Sequence, residues 1–251
     1  MPLRREKQAL TDAERDFLAN YDAARFPRLS VAVDVAIVTC HGHHLKALLV
    51  RRTEHPALGR WALPGGFVAL DESLGDAAAR VLAKKAQLRE VFLEQLYTFG
   101  APNRDPRTRV LSVAYYALVD HARLPAPDDA RKMAALEVDW EGETGGPARA
   151  LDADGQPLEL AFDHGDILGM AVKRLRGKLD YAPIGFELLP ESFTLRALQR
   201  VHETILGRTL NKDSFRRRML QSGEVVPTGN REVEVGHRPA ELYKFTPIKH
   251  L

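Results

Sequence analysis

Hydrophobic and polar positions along the chain divide it into a strand-rich first part and a helix-rich last part. Residues 31–38 and 45–50 are runs of β-branched and aliphatic residues joined at His41-Gly42-His43-His44, which predicts two strands and a turn. Before them, Thr11-Asp12-Ala13-Glu14 reads as a capping box opening a helix over 11–24, stopped by Pro27. Further strands are predicted at 91–99, 109–119 and 135–140, with a loop rich in Gly, Pro, Asp and Ala over 141–157. Ile167, Leu168, Ala171, Val172 and Leu175 are spaced for one buried face of a helix over 167–179. Pro183, just past Tyr181, marks a break, so the chain divides into residues 1–180, a mixed α/β sheet domain, and residues 181–251. In the second part Leu195, Leu198, Val201, Ile205 and Leu206 make an amphipathic helix ended by Gly207. A second short helix over 212–221 and two β-rich runs at 225–231 and 242–245 follow.

Composition narrows the classes open to such a chain. Its 251 residues are 45% hydrophobic, enough for two cores, and 28% charged. No apolar run approaches the roughly 18 residues of a membrane span. The opening Met1-Pro2-Leu3-Arg4-Arg5-Glu6-Lys7 is too charged for a secretory signal, and a single cysteine, Cys40, forms no internal disulfide, so a cytoplasmic protein without membrane partners is expected. The formal charge of +2 hides an asymmetry: residues 173–251 carry 15 Lys and Arg against 9 Asp and Glu. That basic excess fits a polyanion partner for the last third. The three histidines at 41, 43 and 44 lack a second ligand group, and no metal is expected there.

Candidate chemistry lies at Gly66, Glu72, Arg80, Leu82 and Leu88. These keep the register of a pattern running Gly, five residues, Glu, seven residues, Arg-Glu-apolar-x-Glu-Glu-x-Gly-apolar. The stretch resembles a damaged Nudix box: its three later glutamates are Val81, Lys84 and Lys85, and its glycine is Gln87. The resemblance implies a helix over 73–86, on which positions 81, 84 and 85 share a face. Magnesium requires oxygen ligands there, and two ammonium groups supply none. Glu72 alone holds the metal too weakly, so no catalytic residue, metal or cofactor is expected. Lys84 and Lys85 either take over the metal's charge against a diphosphate or are ordinary solvated lysines.

Two short helices with a tight turn and a following strand pair form the pattern of a winged helix-turn-helix. At about 100° per residue, Phe215, Met219 and Leu220 mark the buried side of the second helix. Ser214, Arg217, Arg218 and Gln221 then point away, and Arg216 lies at the edge. With Phe186-Glu187-Leu188-Leu189-Pro190, Phe193-Thr194-Leu195, Phe215-Arg216-Arg217-Arg218 and the segment from Gly236 through His237 to Tyr243, the whole resembles the bacterial Nudix-related transcriptional regulator family from about Asp22 onward. Arg104-Asp105-Pro106-Arg107 and Ser112-Val113-Ala114-Tyr115 resemble a segment of ADP-ribose pyrophosphatases.

The resemblance implies a Nudix α/β/α sandwich followed by a winged helix, in a homodimeric repressor of NAD metabolism genes. Its operator would be double-stranded DNA. Its effector would be ADP-ribose or a related nucleotide, although some relatives sense sugar metabolism. The effector-site candidates are Arg51, Glu72, Arg80, Lys84, Lys85, Arg104, Asp105 and Arg107, and the DNA candidates are Lys212, Ser214, Arg217, Arg218, Gln221, Arg231 and Arg238. One alternative is an active ADP-ribose pyrophosphatase drawing on Asp71, Glu90 or Glu94. Another is a protein-interaction module on the same scaffold.

Overall fold

A computed structural model of the protein describes residues 10–233, 236 and 238–247. The predicted motif residue His237 lies outside them. An eight-stranded mixed sheet forms the larger part, with β1 (Ser30–His41) at its centre. β1 runs parallel to β6 (Val110–Leu118) and antiparallel to β2 (His44–Arg51). β5 (Phe92–Phe99) extends the sheet beyond β6, and β7 (Arg131–Glu137) and β8 (Arg149–Leu151) extend it beyond β2. Two short strands, β3 (Trp61–Ala62) and β4 (Gly65–Phe67), pair with β2 and β1 respectively.

Residues 33–39 of β1 are all buried, as a central strand covered on both faces requires. Val33, Val35 and Ile37 pack under α2 (Leu74–Val81) together with Ala77, Ala78 and Val81. Ala36 and Val38 face the other way, towards α3 (His164–Lys178), whose Ile167, Leu168, Ala171, Val172 and Leu175 form the predicted stripe. The smaller part consists of α4 (Leu195–Leu206), α5 (Lys212–Gln221) and an antiparallel pair, β9 (Val225–Arg231) with β10 (Glu241–Phe245). Phe193, Leu195, Leu198, Phe215, Val225 and Tyr243 make its core. Val201 and Ile205 on the same α4 instead join the α3 side of the large core, with Ile184 and Leu188 of the turn between the parts. Arg176 of α3 locks this contact by donating from Nε to the carbonyl of Ile205 at 2.9 Å.

Several boundaries differ from the sequence expectation, each for a physical reason. α1 (Asp12–Asn20) has the capping box but stops short of residue 24: Tyr21 is extended, and the Asp22 carboxylate accepts from the Ala24 N–H, starting a separate turn. β7 covers 131–137 rather than 135–140, because its ladder with β2 begins at Arg131 opposite Val50. The stretch 141–157 is not wholly loop, since Arg149–Leu151 pairs with β7. A three-residue strand carries too little periodicity to be seen in sequence. α3 begins at His164, before its first apolar residue. The helix expected over 73–86 is α-helical only to Val81 and continues as a π-helical turn over Leu82–Ala86.

Candidate functional site: a cationic cleft and a reading helix

β1, β2, β4, the π turn after α2 and the loop at 104–107 enclose a cleft of about 260 Å³. Asp34 lies at its base, an acid in an otherwise apolar strand. Ser112 Oγ donates to Asp34 Oδ2 at 2.5 Å, and Arg104 Nη2 stands 3.5 Å from the same oxygen. Arg104 is nearly buried and makes a two-pronged pair with Asp163 at 2.8 and 2.6 Å. Its position is therefore fixed before any ligand arrives. His164 Nδ1 accepts from the Leu63 N–H at 2.9 Å, so the neutral ring carries its proton on Nε2, 3.7 Å from Asp34 Oδ1. Burial lowers the imidazole's pKa and keeps it neutral.

Two guanidinium–aromatic stacks line the cleft: Arg52 lies 4.9 Å from the Phe162 ring centre, and Arg107 lies 5.3 Å from that of Phe67. Phe162 holds a left-handed φ of 53°. Such a conformation is uncommon for a bulky side chain and persists where surrounding contacts enforce it. Asp105 accepts from the Arg107 backbone N–H and guanidinium, which lowers its pKa and orders the 104–107 loop. Five cationic side chains, Arg51, Arg52, Lys85, Arg104 and Arg107, face three carboxylates, Asp34, Glu54 and Asp105. The balance suits a multiply anionic ligand.

Of the predicted effector residues, the structure brings Arg51, Lys85, Arg104, Asp105 and Arg107 to this cleft and leaves Glu72, Arg80 and Lys84 off its wall. Glu72 is engaged by Arg80, which donates from Nε and Nη2 at 2.6 and 2.7 Å and also reaches the Phe67 carbonyl. These bonds, with smaller help from the Ala69 N–H and the charge of Lys84, hold the Glu72 carboxyl down at about 2. The three box positions do not share a face as expected. Val81 is buried beneath the sheet, and Lys84 and Lys85 are both exposed, but of the two only Lys85 borders the cleft, where partial desolvation lowers its pKa. The wider π turn rotates each residue less than an α-helix does, so Lys84, three residues on, swings further from the face of Val81. Gln87 then takes the left-handed conformation, φ 57°, with its N–H on the Leu82 carbonyl. The box glycine is gone, but the backbone shape that suits glycine remains.

Sequence reasoning missed Asp34, Arg52, Gly65, Phe162 and His164. The isolated acid in β1 was the one available signal. The others meet only through strand register and the start of α3.

In the smaller part, Asn211 caps α5 by accepting from the Ser214 N–H, and Phe215 anchors the helix in its core. Ser214, Arg217 and Gln221 are exposed, as expected. One expectation for this helix fails. Leu220 is 40% exposed rather than buried, because five residues on from Phe215 the helix has turned to roughly 140° from it. Arg218 is exposed as well, with its guanidinium 5.6 Å from the Phe215 ring centre and Nη1 3.9 Å from Asp180 beyond α3. Arg216 lies beside Tyr243, against the second wing strand, in keeping with its edge position. Lys212 begins the helix, Arg231 donates to the Pro239 carbonyl at the wing, and Arg238 is exposed nearby.

Comparisons with known proteins agree with both parts. The NUDIX domain model matches residues 28–145, and the model of the NrtR DNA-binding winged helix domain matches residues 185–245. The ADPR responsive transcriptional repressor NtrR of Acinetobacter baylyi is 37% identical over 235 residues, 93% of this chain and 88% of that protein. Shewanella oneidensis NrtR complexed with a 27mer DNA superposes with a TM-score of 0.71 at 35% identity, covering 86% of this chain and 93% of that one. The NUDIX domain of the same protein complexed with ADP ribose gives a TM-score of 0.50 at 34% identity, covering 66% of this chain and 99% of that one. Nudix sheet, winged helix and the order of the two thus recur together in these relatives, and the chain belongs to the NrtR family of Nudix-related transcriptional regulators.

Proposed function

We propose that the protein is a homodimeric, cytoplasmic transcriptional repressor of NAD metabolism genes that senses ADP-ribose in the Nudix cleft and reads operator DNA with α5. The functional division is placed between residues 180 and 181. The observation that carries this reading is Lys85: where a Nudix hydrolase has a metal-binding glutamate, this chain turns an ammonium group into a cleft already lined by four arginines. A diphosphate can be neutralised there by fixed cations. The relatives named above, which respond to ADP-ribose or were crystallised with it and with DNA, support the same reading.

The residues present do not fit the magnesium of Nudix hydrolases. Val81 offers no donor, Lys84 and Lys85 repel a cation, and Glu72 is held by Arg80. We therefore assign binding without hydrolysis. Within the cleft, Arg51, Arg52, Lys85 and Arg107 neutralise phosphate charge. The buried set of Asp34, Arg104, Ser112 and His164 fixes the floor against which ligand hydroxyls are placed. On α5, Ser214, Arg217 and Gln221 face the bases, with Lys212, Arg231 and Arg238 near the phosphates.

A mobility-shift titration of the protein's own upstream DNA, with and without ADP-ribose, tests the reading, alongside an assay for AMP and ribose 5-phosphate formed from ADP-ribose with magnesium or manganese. A shift altered by ADP-ribose, with no turnover, is expected. Robust turnover, or no DNA binding under either condition, would overturn it.

A further inference from the structure

A second cavity, about 540 Å³, lies in the smaller part of the molecule, with one lining residue, His43, from the larger part. Its walls are the outer face of α4, the first turns of α5 and the second wing strand, and His43 at the tip of the β1–β2 hairpin closes one side. Four permanently cationic side chains line it: Arg196, Arg200, Lys212 and Arg216. Among the described residues none of the four is in an ion pair, and the two acids of the cavity are otherwise engaged. Glu203 accepts from the Leu210 N–H at 2.8 Å and from Gln199, and Glu241 accepts from the Tyr243 hydroxyl at 2.6 Å. Both acids keep their charge, and the four cations still outnumber them, so the groove is positive on balance and runs directly into α5 at Lys212 and Arg216.

We propose that this groove seats the sugar–phosphate backbone of the DNA that α5 reads, and that the tip of the Nudix hairpin, through His43, is itself part of the DNA-binding surface. The inference rests on the proposed DNA reading and extends it to residues of the effector domain. Charge favours this occupant: a linear polyanion can meet Arg196, Arg200 and Lys212 in succession, while His43 adds a ring N–H donor at the groove edge. Continuity favours it as well, since a duplex against Arg217 and Gln221 must pass its backbone along one flank of α5, and Lys212 and Arg216 form such a flank. The hairpin also spans the molecule. From Asp34 in the cleft to His41 at the tip is seven residues of strand, about 23 Å, and Arg51 returns to the same cleft.

Two measurements test this on the full-length chain. First, the affinity for an upstream-region duplex is measured against salt concentration for the wild type, Arg196→Ala and Arg200→Ala. Each exposed arginine that meets a phosphate should lower the slope of log affinity against log salt by about 1, with preference among DNA sequences unchanged. Unchanged slopes in both variants would overturn the proposal. Second, an iron chelate attached to His43→Cys should cut bound DNA on adding a reductant. A chelate on Asn230→Cys in the exposed wing serves as reference. Cys40, the one native cysteine, is half-buried and is replaced by Ser in both cysteine variants, so the introduced cysteine is the one labelled. Cutting from both positions supports the proposal. Cutting from 230 but not 43 overturns it while leaving the winged-helix reading intact, and cutting from neither, with no mobility shift, overturns both.

Discussion

Gly65 stands directly opposite Asp34 in the β1–β4 ladder, and a Cβ at Gly65 would lie 2.0 Å from Asp34 Oδ1. The carboxylate occupies the space a side chain would fill, so Gly65→Ala must displace Asp34 or part the two strands. Because Asp34 in turn contacts Ser112 and Arg104, the displacement spreads through the cleft floor. ADP-ribose affinity measured by calorimetry should fall at least tenfold, about 1.4 kcal/mol, while ligand-free DNA binding stays close to wild type. Unchanged affinity would remove Asp34 from the site.

The two box lysines should separate experimentally. Lys85→Ala removes a cation from the cleft wall and should weaken ADP-ribose binding. Lys84→Ala, which changes an exposed side chain off that wall, should leave affinity within about twofold. Addition of EDTA should matter to neither. Equal losses in both variants would mean that the π turn rearranges when ligand binds.

A pH effect follows from Glu72. Its carboxyl titrates near 2 in the folded chain against an ordinary 4.5, because Arg80 holds the ionised form. A depressed carboxylate adds stability that is fully present above the unfolded value and is lost as pH falls through the folded one. The melting-temperature advantage of wild type over Glu72→Gln should be constant from pH 7 to about 5 and shrink between about 4.5 and 2. An advantage that grows towards acid would contradict the pairing.

On α5 the arginines should differ. Arg217→Ala should cost about 1 to 3 kcal/mol of specific DNA binding if its guanidinium grips a guanine edge. Arg218→Ala loosens a contact with Phe215 and Asp180 and should change operator preference much less. Anisotropy titrations against matched and scrambled duplexes distinguish the two. A larger loss of discrimination from Arg218 would reverse the assignment.

Much of this molecule was legible along the chain, and what escaped shares one cause. The apolar run of β1, the stripe on α3 and the caps of α1 and α4 are local, and each appears where its residues place it. Arg104, Asp105 and Arg107 were legible because they form one short motif. Asp34, Arg52, Phe162 and His164 come from distant positions joined by sheet register and by the start of α3, which no local pattern encodes. Lys84 and Lys85 are both exposed, and only the path of the π turn over 82–86, which leaves no periodic mark, decides that Lys85 borders the cleft. Arg218 is exposed as helix phase implies, but the nearness of Asp180, which belongs to the other part of the chain, leaves no mark in that phase.

The packing of Val201 and Ile205 with α3 makes the reader thermodynamically inseparable from the sensor. Excised at residue 181, the winged helix would present Ile184, Leu188, Val201 and Ile205 to water, four side chains now within the large core. Arg176 would also lose the carbonyl of Ile205. Calorimetry of the intact chain should therefore show one endotherm rather than two, and the excised fragment should aggregate. Grafting this winged helix onto another sensor would require carrying the α3 surface along with it.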